Sequence, residues 1–123
     1  MSEVKNIPFD PEQITTYPRT HTDDRYKNSS LKIIGPSFMT WDEDGSAGRF
    51  SVNYEEVVYV VEGDVALTFY PESAEPKVIT GVAGDVITIA SGSNLDYSGT
   101  KGSKIFVVFS PLNWEELLDV TRG

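Results

Sequence analysis

The amino-acid sequence predicts an all-β fold: an antiparallel β-barrel or jelly roll finished by a short C-terminal helix. Three observations carry that expectation. Short runs rich in Val, Ile, Phe and Tyr recur from Leu31 onward, they are separated by Gly, Pro, Ser and Asp at intervals suited to antiparallel strands, and no βαβ alternation occurs. At 123 residues, with 39% hydrophobic and 24% charged residues, the chain has the size and composition of one globular domain with one core.

The elements follow in order. Residues 1–30 hold three prolines with several Thr and Asp and no sustained period. They read as an irregular arm, either lying across the barrel to cover an edge strand or fraying from it. The barrel is expected over residues 31–112, with strands at Leu31–Ile34, Ser37–Trp41, Arg49–Val52, Glu56–Val61, Val65–Tyr70, Lys77–Ile79, Val86–Ile89, Leu95–Ser98 and Ile105–Phe109. Gly63-Asp64 between two Val-rich runs marks a tight hairpin, because glycine reaches positive φ and Asp tolerates it. Residues 113–123 form the expected helix and tail, with Asn113 as N-cap, Glu116 as its capping-box partner, and an apolar face of Trp114, Leu117 and Leu118.

Charge and composition remove several function classes. The net charge of −9 comes from dispersed acids and argues against a nucleic-acid partner, which needs clustered Lys and Arg. No cysteine is present, so disulfides, thiolate metal sites and a Cys nucleophile are excluded. No run approaches the roughly 18 apolar residues of a membrane span, and the N-terminus lacks an apolar leader core, so the expected location is cytoplasmic with no membrane partner. No glycine loop precedes a helix in the manner of a phosphate-binding P-loop.

Two segments carry a family resemblance. Glu56-Val-Val-Tyr-Val-Val-Glu-Gly63 resembles the second half of the first cupin motif, and Gly84-Asp-Val-Ile-Thr-Ile-Ala-Ser-Gly92 resembles the second. A longer match over about residues 38–118 adds Ser51-Val-Asn-Tyr-Glu-Glu56, Gly92-Ser-Asn-Leu95 and Ser110-Pro-Leu-Asn-Trp-Glu-Glu-Leu117, and is similar to the cupin domain of the ethanolamine-utilisation protein Q family. The resemblance implies a cupin (RmlC-like) barrel. In metal-binding cupins two His precede the first-motif Glu and a third lies in the second motif. Here those positions are Arg49 and Ser51, or Phe50 and Val52 if the spacing is one shorter, and Leu95. The only histidine is His21, far upstream and read as an exposed arm residue. One imidazole and one carboxylate are too few ligands for a tight transition-metal site, so no metal and no cofactor are expected.

What remains in the barrel suggests proton chemistry. If Glu56 keeps the inward direction the resemblance implies, it is a carboxyl in an apolar cup. Desolvation then favours its neutral form, unless an ion pair with Arg49 holds it charged. Tyr97 follows Leu95 by two residues, points to the same face and brings a phenol toward Glu56. Trp41 and Arg49 are candidate ligand contacts through stacking and anion pairing, with Ser51, Asn53, Tyr54 and Leu95 beside them. Phe106 and Phe109 have opposite parity, so a regular strand lets only one of them line the lumen.

The leading expectation is a metal-independent cupin that binds a small organic molecule, leaning toward an isomerase, lyase or cyclase that uses Glu56 and Tyr97. The alternatives are a non-catalytic ligand-binding or assembly protein of the ethanolamine-utilisation type, and a metalloenzyme using oxygen ligands. The strand from Val57 to Val61 is apolar on both faces, which points to a homodimer.

Overall fold

The computed structural model describes residues 3–113. Among them are ten strands: β1 (Ile14–Tyr17), β2 (Thr20–Asp23), β3 (Gly35–Trp41), β4 (Gly45–Val52), β5 (Glu55–Glu62), β6 (Asp64–Phe69), β7 (Lys77–Val82), β8 (Val86–Ile89), β9 (Ser93–Gly99) and β10 (Lys104–Ser110). They form two sheets of antiparallel pairs. One has six strands in the order β1-β2-β3-β10-β5-β8, the other four in the order β4-β9-β6-β7. The faces of the two sheets enclose the core.

Side-chain alternation decides what enters the core. Along β5, Glu56, Val58 and Val60 are buried while Val57, Tyr59 and Val61 face outward. β6 and β9 answer from the second sheet with Val65, Leu67, Leu95 and Tyr97, and β10 contributes Ile105. Trp41, at the end of β3, is 1% exposed; its ring lies so close to Gly99 that an added Cβ there would come within 2.7 Å of it. The β5–β6 turn is made at Gly63, with φ of 80° and the Ser103 backbone pressed against it.

Two expectations are corrected. Residues 14–23 are not irregular: they form a hairpin through Pro18 and Arg19 whose second strand pairs with β3, from Thr20↔Trp41 to Asp23↔Phe38. Their Ile and Thr residues suit strands, and the open edge of β3 supplies a partner. Conversely, Leu31–Ile34 is not a strand. The β10–β3 ladder stops at Phe109↔Gly35, which leaves Leu31, Ile33 and Ile34 without a neighbouring strand and exposed. The expected helix from Trp114 lies outside the described residues. Among those residues no helix is long and apolar enough to cross a membrane.

Candidate functional site

A cavity of about 220 Å³ opens where the β1–β2 hairpin and the 3-10 turn at Arg25–Asn28 lean over the barrel. Glu56 of β5 stands in its wall at 5% exposure. The Tyr97 hydroxyl on β9 donates to Glu56 Oε1 at 3.2 Å, and Tyr54, just before β5, makes a second side-chain hydrogen bond to the same carboxyl. Around them stand Tyr17, Tyr26, Phe50 and Phe109. Phe109 packs against Tyr26 with ring centroids 5.3 Å apart and against Tyr54 at 5.2 Å, and Phe50 meets Tyr97 edge-on at 5.5 Å.

This environment shifts the acids and phenols upward. Burial drives the Glu56 carboxyl from 4.5 to about 7, against the pull of its hydrogen bonds from Tyr97 and Tyr54. Burial, then the Glu56 charge, raises both tyrosines well above the ordinary phenol range, so each stays a proton donor at neutral pH. A carboxyl poised near neutrality beside a phenol can take up, hand over or relay a proton.

The residues expected from sequence divide among several places. Glu56, Tyr97, Tyr54 and Phe109 share the lumen. Leu95 is buried and lines a separate, apolar cavity of about 570 Å³ between β8 and the second sheet. Trp41 belongs to the core rather than the lumen, its indole N–H donating to the Gly45 carbonyl at 3.0 Å. Phe106 turns away from the lumen and packs on Phe38. Arg49, Ser51 and Asn53 line an outer groove with Tyr70 and Asn94, where Arg49 donates to Asn94 Oδ1 at 3.0 Å and lies 3.8 Å over the Tyr70 ring. Arg49 is therefore no ion-pair partner of Glu56. His21 sits on β2 against the Asp42 carboxylate, outside the lumen.

Sequence reasoning missed Ser37, Met39, Ile105 and Val107 on the barrel strands, and with them Tyr17, Thr22, Asp24 and Tyr26, which all come from the stretch read as an irregular arm. The signal that could have found the arm residues is local. Ile14-Thr-Thr-Tyr and Thr20-His-Thr flank Pro18-Arg19, two β-branched runs around a turn.

The donors present do not fit a cupin transition metal. Of the candidate ligand positions on β4, Phe50 and Val52 face inward, and with Leu95 they set apolar side chains where imidazoles would be needed. Among the described residues no group of three or more His, Cys, Asp or Glu could hold an ion.

Comparison with known proteins follows the same lines. The family model "Ethanolamine utilisation protein EutQ" matches residues 10–116. The acetate kinase EutQ of Escherichia coli is 30% identical over 84 residues, which is 68% of this chain and 33% of that protein, so the chain spans about a third of the length of the curated relatives it matches. The Clostridium difficile EutQ protein superposes with a TM-score of 0.68 at 18% identity, over 88% of this chain and 83% of that one. A Streptomyces nucleoside dehydratase with uridine superposes with a TM-score of 0.67 at 14% identity, over 90% and 84% of the two chains. At such identities these two structures speak for the fold alone.

Proposed function

The chain belongs to the ethanolamine utilisation protein EutQ family, and from that premise we propose that it is a metal-independent cupin. In this reading it binds a small organic molecule in the lumen and moves a proton on it with Glu56 and Tyr97. The observation that carries the reading is the buried contact of 3.2 Å between Tyr97 and Glu56 in the wall of a cavity. In an elimination, the Glu56 carboxylate removes a proton from the carbon next to the leaving group while the Tyr97 hydroxyl gives its proton to the departing oxygen. The bond electrons form the double bond and water leaves. Transfer of the proton from Glu56 to the Tyr97 phenolate then restores both groups. Isomerisation or cyclisation uses the same pair with the proton returned to the ligand.

The phosphoryl chemistry named for the curated relatives is not carried over, because no Lys or Arg among the described residues lines the lumen to neutralise phosphate. A second reading, a non-catalytic ligand-binding or assembly protein of the ethanolamine-utilisation type, is favoured by the family match itself.

The test is incubation of the protein with a metabolite library in D₂O, read by mass spectrometry for deuterium incorporation or loss of water. Wild type is expected to turn over one compound, Glu56→Gln to lose activity by about 10²–10⁴-fold and Tyr97→Phe by about 10²-fold. Retained ligand binding with no chemistry in wild type favours the second reading. About one bound transition metal per purified chain overturns metal independence.

A further inference from the structure

Resting on the lumen as the ligand site, we propose that its occupant is a small organic cation, an alkylammonium compound, held between the aromatic rings and the Glu56 carboxylate.

Three independent features of the cavity select for positive charge. Its wall presents six aromatic rings, from Tyr17, Tyr26, Phe50, Tyr54, Tyr97 and Phe109, and the faces of such rings attract cations. The ionisable groups among the described lining residues are two carboxyls, Glu56 and Asp24, and four phenols, with no Lys, Arg or His. Met39, Ile105 and Val107 add apolar wall beside the hydroxyls of Thr22 and Ser37, so water screens an enclosed charge less than in bulk and the carboxylate acts at greater strength. An anion placed here meets Glu56 and the electron-rich rings, while the second acid, Asp24, is already paired with Lys27 at 3.4 Å and accepts from Ser37 at 2.7 Å. The chain's net charge of −9 works in the same direction at longer range.

The site also provides for hydrogen bonding. Thr22 Oγ1 is buried without a protein partner among the described residues, and Thr22 lines this cavity. It offers a position for an N–H or hydroxyl of the bound molecule. At about 220 Å³ the cavity is smaller than the roughly 300–1,000 Å³ of drug-sized sites, which restricts the occupant to a small metabolite.

Cation binding is then coupled to proton release. The groups facing Glu56 are Tyr97 on β9 and Tyr54 before β5, with Tyr17, Tyr26 and Asp24 across the same cavity. The two phenols bonded to Glu56, Tyr54 and Tyr97, stay protonated near pH 7, while Glu56 changes charge there. Occupancy by a cation favours its carboxylate and expels the proton it shares with solvent near neutrality.

The experiment compares three probes of one shape: choline, its neutral isostere 3,3-dimethylbutan-1-ol, and the anion 3,3-dimethylbutanoate. Binding to the full chain is followed by amide chemical shifts in NMR titrations. Choline is expected to bind about tenfold or more tightly than the alcohol, with shifts concentrated on β5, β9 and the β1–β2 hairpin. Its affinity is expected to rise between pH 6 and 8 while that of the alcohol stays level. In Glu56→Gln, whose fold is checked by its amide spectrum, the preference for choline is expected to fall toward parity. Because the pH series uses wild type, the inference stays testable if the variant misfolds. Equal or tighter binding of the alcohol or the anion in the lumen overturns the cation and leaves the lumen as the site. Binding of none of the three there overturns both.

Discussion

A carboxyl raised from 4.5 to about 7 is a cost to folding at neutral pH, because the unfolded chain ionises Glu56 more easily than the folded one does. The folded state holds the proton more tightly, so this group favours folding most below pH 4.5, and stability is lost progressively as pH rises toward 7. Gln at position 56 keeps an acceptor for Tyr97 and removes the titration. Denaturant unfolding at pH 5 and pH 8 is therefore expected to show Glu56→Gln gaining about 2–3 kcal/mol on wild type between the two. A gap that does not change with pH would mean an ordinary carboxyl. The meeting of Glu56 and Tyr97 was legible because the cupin resemblance implied the direction of Glu56, and counting by two from Leu95 along a regular strand turned Tyr97 to the same face. Arg49 and Ser51 were not separable from Phe50 and Val52, because a register shift between Ser46 and Arg49 interrupts β4 and Gly48 takes a φ of 114°. Ala47 and Phe50 then both point inward although they are three residues apart, a parity change that composition does not announce.

At the level of elements, an ion pair fastens the β1–β2 hairpin and the turn after it, beside the β2–β3 ladder. Arg25 Nε donates to Asp23 Oδ2 at 2.7 Å while its guanidinium also donates to the Ile7 carbonyl at 2.7 Å, and Asp23 is 6% exposed. Arg25→Ala strands that carboxylate in the interior. The expected loss is about 3 kcal/mol in denaturant unfolding, accompanied by weaker retention of any lumen ligand, since Tyr17, Thr22 and Tyr26 ride on this segment. An unchanged midpoint would mean that the hairpin is held by its β3 ladder alone. The strands from β4 to β10 were read from sequence to within a few residues because glycine and proline punctuate hydrophobic runs there. The hairpin was overlooked because its strands are only four residues long and Thr-rich, and its place is set by pairing with β3, a long-range fact.

For the whole molecule, the outward side of the six-stranded sheet bears on assembly. Val57, Tyr59, Val61 and Val86 are each more than a third exposed, and the register aligns Val86, Tyr59, Phe106 and Phe38 in one row across four strands. Such a face on an otherwise acidic protein is costly to leave in water. The expected partner is a second copy of the chain. Light scattering on the eluting protein should give the dimer mass, and Tyr59→Glu should give the monomer with its amide spectrum at β9 and the β1–β2 hairpin unchanged. A monomeric wild type would sink the expectation.

The lumen is walled on one side by the barrel and on the other by residues 17–26, a stretch that contributes few side chains to the core. Part of the lumen wall is thereby carried by a segment separate from the barrel scaffold. Recombining hairpins from relatives onto this barrel is a way to retune what it accepts while the closed sheets, and the Glu56–Tyr97 pair they hold, stay as they are.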